Sequence, residues 1–254
     1  MRIEFLGVGE ACDPVHPNTS LLVRSVISGK ERVMLLDCGF NAAHQFFRVC
    51  SDQDMLDALW ISHFHGDHFF GVPLLLLRFQ EMNRTKTLEI IGQPGVRKKV
   101  FDAMDLAYPN FREKLQFRIE FREIEPGGQV IVYDFSVSAA ENEHSLRSLS
   151  VRIEDGERAL FYSGDGRPTE ATLELARECD LIVHEAFRMS GKTSGHGTIA
   201  GSIEFAQNAG VMNLALVHVE RHDREEHRHE IREMLLNTKG LNVFLPVAWD
   251  VVKI

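Results

Sequence analysis

The sequence predicts a layered α/β fold, with two β-rich halves covered by helices. Two patterns carry this. Short runs rich in β-branched and aromatic residues crowd the first third, and strand-like and helix-like segments alternate from Glu170 onward. In chain order, residues 2–8, 20–26 and 32–37 read as strands, 42–49 as a helix, 56–61 as a strand, and the apolar stretch 69–79 as one buried helix. Residues 88–91 form a predicted strand and 96–107 a helix, followed by strands at 117–121, 130–138, 149–153 and 159–162. A helix at 170–177, a strand at 181–183, a helix at 199–209 and a strand at 214–217 come next. A final helix and strands at 242–245 and 251–254 close the chain.

The 254 residues are 44% hydrophobic, and no Pro/Gly/Ser-rich linker, repeat or low-complexity tract divides them, so residues 1–254 are expected to form a single domain. The start, Met1-Arg2-Ile3-Glu4-Phe5-Leu6-Gly7, lacks the basic-then-apolar pattern of a signal peptide. No run of about eighteen apolar residues occurs either, so a soluble, cytoplasmic protein without a membrane partner is expected. Cys12, Cys38, Cys50 and Cys179 are scattered without a Cys-x-x-Cys pair, which fits reduced thiols. A net charge of −9 sets the global field against nucleic acid and anionic membranes. The basic spots at 97–99 and 112–114 read as solvated helix faces. Residues 221–233, with His222, His227 and His229, read as an exposed helix laced with ion pairs.

The chemistry concentrates in Ser62-His63-Phe64-His65-Gly66-Asp67-His68, directly after the strand at 56–61. Side chains two apart at a strand end share a face, so His63 and His65 point the same way. Asp67 and His68 follow where the chain turns toward a helix, and they reach a second point nearby. Neutral imidazole and carboxylate suit zinc, iron or manganese. A catalytic metal needs further protein ligands and an open position, so more must come from strand ends downstream. His144, Asp165 in Ser163-Gly164-Asp165-Gly166, and His218 after the strand at 214–217 stand at such places. Taken singly, each also fits a loop residue, a turn former or a strand-end cap.

Together, the order His-x-His-x-Asp-His, then His, then Asp in a Ser-Gly-Asp turn, then His resembles the metallo-β-lactamase superfamily over nearly the whole chain. The resemblance implies a four-layer αβ/βα sandwich, two mixed sheets flanked by helices, with a two-metal site between the sheets. It implies that His63, His65 and His144 serve one divalent ion, that Asp67, His68 and His218 serve the other, and that Asp165 bridges them. Zinc is the expected metal, with iron or manganese as alternatives. Asp37 matches a family aspartate that orients a ligand histidine. The segments His184-Glu185-Ala186-Phe187, Gly195-His196-Gly197-Thr198 and Leu216-Val217-His218 are similar to the ribonuclease Z branch, as are Pro17-Asn18-Thr19-Ser20 and Asp37-Cys38-Gly39. Pro17, Phe40-Asn41 and Gly197 depart from that branch's usual arginine, Glu-Gly and serine. Ribonuclease Z typically inserts a long arm that clamps transfer RNA between the third metal histidine and the bridging aspartate. The stretch from His144 to Asp165 has no room for it.

The reading that follows is a metal-dependent hydrolase whose metal pair activates a hydroxide for attack on a phosphodiester. Asp67 steers the proton of the water, and His196, held charged by Glu185, protonates the leaving oxygen. His196 and Thr198 also fit a helix start. An acyl hydrolase, thioesterase or lactamase-like, would use the same hydroxide at carbon. A non-catalytic metal-binding module would need neither an open position nor an acid. The expected partner is a phosphodiester, small molecule or RNA, and the acidic, armless chain is poorly suited to gripping folded RNA. The resemblance suggests a homodimer.

Overall fold

Two seven-stranded mixed sheets pack face to face in the computed structural model, which describes residues 1–50, 52–191 and 193–254. The first half of the chain supplies β1 (Arg2–Gly7), β2 (Ser20–Ile27), β3 (Lys30–Leu36), β4 (Ala58–Ile61), β5 (Leu88–Gly92) and β6 (Ile119–Glu123). Between them in sequence lie α1 (Ala42–Val49), α2 (Gly66–Phe69), α3 (Val72–Glu81) and α4 (Val96–Ala107). The second half supplies β7 (Gln129–Val132), β8 (Phe135–Asn142), β9 (Ser148–Glu154), β10 (Ala159–Tyr162), β11 (Leu181–Glu185), β12 (Asn213–Val217) and β13 (Asn242–Phe244). Its helices are α5 (Glu170–Ala176), α6 (Ile199–Ala209), α7 (Arg221–Glu226) and α8 (Arg228–Asn237), and β14 (Val251–Lys253) returns to pair with β1.

Strand order is β14-β1-β2-β3-β4-β5-β6 in one sheet and β13-β12-β11-β10-β9-β8-β7 in the other. In each, one side is parallel (β3 to β6, β10 to β13) and the other antiparallel. Parallel neighbours need crossover connections, and here these bring helices onto the outer faces. The strand periodicity then sorts the side chains. Leu21, Val23, Met34 and Trp60 point inward and share one buried cluster with Val137, Val151, Leu160 and Tyr162. Leu22, Leu35 and Leu59 point outward, under Phe46, Leu76 and Val100. Phe161, Ile182 and Leu216 do the same on the opposite side, under Ile203, Phe205 and Ile231. The layers are helix, sheet, sheet, helix, as the resemblance implied. Trp60 is fully buried between the sheets, where truncation to alanine costs about 3–5 kcal/mol. No helix among the described residues is long and apolar enough to cross a membrane.

Four predicted elements are corrected. The strand at 130–138 is a hairpin, because Tyr133 and Asp134 take positive φ of 47° and 72° and turn the chain between β7 and β8. The helix at 69–79 breaks at Phe70–Gly71, where the Gly71 N–H donates to the Cys38 carbonyl at 2.8 Å and leaves the helical ladder. The strand at 117–121 starts and ends later, as β6. The charged helix at 221–233 is two helices, α7 and α8, meeting at His227, and its ion pairs reach other elements: Arg221 to Glu10 at 2.7 Å and Asp223 to Arg188 at 2.6 Å.

Candidate metal centre

Loops from both sheets meet at one edge of the sandwich, beyond the carboxyl ends of the parallel strands, the place where open α/β sheets present ligand groups. Asp37 follows β3, Ser62 to His68 follow β4, His144 follows β8, Asp165 follows β10, Glu185 ends β11 and His218 follows β12. Two backbone features make this convergence possible. Gly39 is pressed against the metal-motif loop, and a Cβ there would lie 1.8 Å from the Asp67 carbonyl oxygen. His218 is held at φ 57°, a costly conformation for a non-glycine residue, by its N–H bond to the Val8 carbonyl at 2.8 Å.

The potential ligand atoms fall into two groups that share Asp165. His63, His65, His144 and Asp165 each offer one atom, all within 4.8 Å of one another, and so do Asp67, His68, Asp165 and His218. In the first, His63 Nε2 and His144 Nε2 lie 3.0 and 3.1 Å from His65 Nδ1. In the second, His68 Nε2 is 3.2 Å from Asp165 Oδ1 and 3.4 Å from Asp67 Oδ2, while His218 Nε2 is 3.2 Å from Asp67 Oδ2. His68 Nε2 and Asp165 Oδ1 are buried and misaligned for a hydrogen bond despite their proximity, so each lacks a partner among the described residues. A buried imidazole nitrogen and a buried carboxylate oxygen left unpartnered within a cluster of such donor atoms fit a divalent cation.

Partners on the far side of three rings fix which nitrogen faces inward. Asp37, fully buried, accepts hydrogen bonds from the Ser62 N–H at 2.7 Å, the Ser62 hydroxyl at 2.8 Å and the Tyr162 hydroxyl at 2.7 Å. Its Oδ2 also lies 2.7 Å from His68 Nδ1. Since the Ser62 hydroxyl donates to Asp37, it accepts from His63 Nδ1, 3.0 Å away. His144 Nδ1 faces the Gly195 carbonyl at 2.5 Å. In all three rings a proton is assigned to Nδ1 from these partners, which turns Nε2 toward the centre.

Charge follows the same geometry. Burial, with His68 beside it, pushes the His63 pKa well below its ordinary value, and burial lowers that of His65. Burial alone would raise Asp165, but His218 and His68 hold it well below the usual carboxylate range. Burial alone would lower His68, yet Asp165, Asp67 and Asp37 together raise it. Those three carboxylates make the spot attractive to any cation, proton or metal.

Beside these groups, His196 Nδ1 lies 3.2 Å from Glu185 Oε1. Glu185 is fully buried and is held by the N–H groups of Gly166, Phe187 and Gly197 at 2.9, 3.0 and 2.7 Å. Burial disfavours charge on His196, but the bond to Glu185 outweighs it and the pKa is raised. Phe187 stacks on the His196 ring at 4.6 Å.

All ten residues singled out in the sequence thus meet at one edge, while His222, His227 and His229 join none of the three potential ligand groups. Ser62, Tyr162 and Phe187 were missed. Ser62 adjoins the motif, so its place before His63 was a usable signal. The hydroxyl of Tyr162, at the end of a strand on the other sheet, carries no such mark.

Residues 1–240 match the family described as Anti-Pycsar protein Apyc1. The ribonuclease Z of Methanosarcina acetivorans is 28% identical, covering 100% of this chain and 97% of the relative. That alignment runs over 310 residues, so the relative carries segments that these 254 residues lack. Among solved structures, the metallo-β-lactamase fold protein YhfI from Bacillus subtilis has a TM-score of 0.79 at 18% identity, covering 99% of each chain. Human tRNase Z, short form, has a TM-score of 0.78 at 23% identity, covering 100% of this chain and 99% of that one. Both share the fold. The chain belongs to the Anti-Pycsar protein Apyc1 family and has the ribonuclease Z-like form of the metallo-β-lactamase fold.

Proposed function

We propose that this metal-dependent hydrolase of phosphodiesters acts on small or unstructured substrates. In this reading His63, His65 and His144 would hold one divalent ion and Asp67, His68 and His218 a second, with Asp165 shared by the two groups. The observation that carries it is the pair of ligand groups sharing Asp165, with the His196–Glu185 pair alongside. Two such ions, zinc or alternatively iron or manganese, would when bound supply a water acidified from a pKa of about 15.7 toward about 7 and a positive charge for the phosphoryl oxygens.

The chain's own groups do the rest. Asp67 is held ionised by His68 and His218 against the effect of burial, and it accepts and steers the proton of the attacking water. His196, charged through Glu185, gives its proton to the leaving oxygen, which is worth about 10² to 10⁴ in rate. Between His144 and Asp165 the chain forms only β9, a turn and β10, with no arm to clamp folded RNA. The net charge of −9 gives phosphate backbones little further purchase, which favours small substrates. The reading also carries a single domain over residues 1–254, a cytoplasmic location suited to reduced thiols, and a homodimer.

The test is a panel assay of metal-reconstituted protein on an activated aryl phosphodiester, a precursor transfer RNA, a lactam and a thioester. Turnover of the small phosphodiester is expected, with weak and salt-insensitive binding of transfer RNA. Turnover of the lactam or thioester without the phosphodiester would refute the reaction. Tight, strongly salt-dependent transfer RNA binding would refute the substrate size.

A further inference from the structure

Among the ligand candidates only His218 has a left-handed backbone, at φ 57°. A non-glycine residue stays there only where its surroundings hold it. Val219 and Glu220 alone separate it from α7, so a shift at either end of this turn would swing the imidazole away from Asp67 and Asp165, whose oxygens lie 3.2 and 3.4 Å from its Nε2. Both ends need to be tied.

The ties run from the turn to the chain just after β1, at every third residue. The His218 N–H donates to the Val8 carbonyl at 2.8 Å, Arg221 Nη1 to Glu10 Oε1 at 2.7 Å, and Arg224 Nη2 to the Val8 carbonyl at 3.4 Å. Residues three apart on a helix share a face, so both arginines of α7 reach the same loop. The loop itself is anchored: the Val8 and Gly9 N–H groups donate to the Pro17 carbonyl at 3.0 and 2.8 Å, and Thr19 donates twice to the Gly9 carbonyl. Glu10 is the pivot. It is 3% exposed, and its Oε2 accepts the Cys12 N–H at 2.7 Å while Oε1 takes Arg221. A carboxylate buried this far is kept by its partners, and a charge-assisted bond is the stronger kind. The Arg224 contact is long, so the Glu10–Arg221 pair carries the α7 end of the turn. Among the described residues, neither Glu10 nor Arg221 bonds to His63, His65 or His144.

We propose that Glu10 and Arg221 are positioning residues for His218, and that their pair sets the affinity of the Asp67, His68 and His218 group for its ion while leaving the other group unaffected. The proposal rests on the two-ion reading. Neither side chain meets the reacting atoms, so the effect passes through the geometry of the turn alone. Losing a group that orients a metal ligand costs about tenfold to a hundredfold in affinity, and the same range is expected here.

The test is zinc binding to metal-stripped protein, followed by calorimetry against a competing chelator with no substrate present. The wild-type protein should bind two ions. His218→Gly, which suits the left-handed backbone, should lose one of them and so identify the constant that belongs to this group. Arg221→Ala should weaken that same constant about tenfold to a hundredfold and leave the other at its wild-type value. Arg221→Lys keeps a charge opposite Glu10 and should retain most of the affinity. Glu10→Gln should act in the same direction as Arg221→Ala. If Glu10→Gln does not fold, Arg221→Ala decides, since the Arg221 side chain is 36% exposed. In the His218→Gly background, Arg221→Ala should change metal binding no further. A merely structural role would weaken both ions, or the remaining ion in the double variant, and either result would overturn the clamp. Unchanged constants in Arg221→Ala would overturn it too, and all of these results leave the two-ion reading intact. A wild-type protein that binds a single ion would overturn that reading and the clamp with it.

Discussion

The Tyr162 hydroxyl lies 2.7 Å from Asp37 Oδ2, joining the ends of β10 and β3 across the interior of the sandwich. Both residues are fully buried. Through this contact the second sheet helps hold the carboxylate that positions His68 and, by way of Ser62, His63.

Tyr162→Phe removes that donor and keeps the ring. Metal affinity should fall about tenfold to a hundredfold, the usual cost of losing a group that orients a metal ligand. Stability should fall by about 1–3 kcal/mol, because a buried carboxylate loses a partner. Competition against a chromophoric chelator and urea unfolding of the metal-free protein read the two effects separately. Unchanged metal affinity would mean that Asp37 holds His68 without the second sheet.

Gly39→Ala places a methyl group on the Asp67 backbone, which cannot move without carrying the Asp67 and His68 side chains with it. Overpacking of this kind costs about 1–3 kcal/mol. Because the backbone pushed aside belongs to the second ligand group, metal stoichiometry should fall along with the unfolding midpoint. Normal stoichiometry by elemental analysis would show that the loop yields elsewhere.

The histidine motif was legible because two-residue spacing at a strand end fixes which side chains share a face, and His63 and His65 do meet. The layered architecture was legible too, since buried parallel strands such as Ala58–Ile61 read as continuous apolar runs. What escaped had weak local signals. The turn at Tyr133–Asp134 uses positive φ without glycine, and the break at Phe70–Gly71 comes from a contact with Cys38, remote in sequence. Tyr162 and Phe187 act through a hydroxyl and a ring face whose partners appear only when the two sheets assemble.

His196→Ala should reduce kcat about 10²- to 10⁴-fold on a phosphodiester with a poor alcohol leaving group. On an activated aryl ester the loss should be smaller, since that leaving group departs without a proton. Glu185→Gln should follow the same pattern more weakly. Steady-state kinetics on the two esters check this, and equal losses on both would argue for a structural role.

Thiol chemistry should divide the cysteines. Cys12 is exposed, while burial pushes Cys50 up to about 11 and Cys179 up to about 12, and raises Cys38 as well. One thiol per chain should react with a disulfide reagent in the native protein at neutral pH, and the other three only after denaturation. Raised folded-state values favour the protonated thiol. Their contribution to stability is therefore complete below the ordinary value of 9.0 and is lost as pH rises toward 11 to 12. Urea midpoints measured from pH 8 to pH 11 should fall, and less so in Cys179→Ala.

The central claim, that two ions held around Asp165 serve phosphodiester hydrolysis, is tested most directly by titrating metal-stripped protein with zinc while following hydrolysis of an aryl phosphodiester. Activity should be absent at the start and should reach its plateau at two equivalents per chain. Activity in the stripped protein, or saturation at one equivalent, would contradict it.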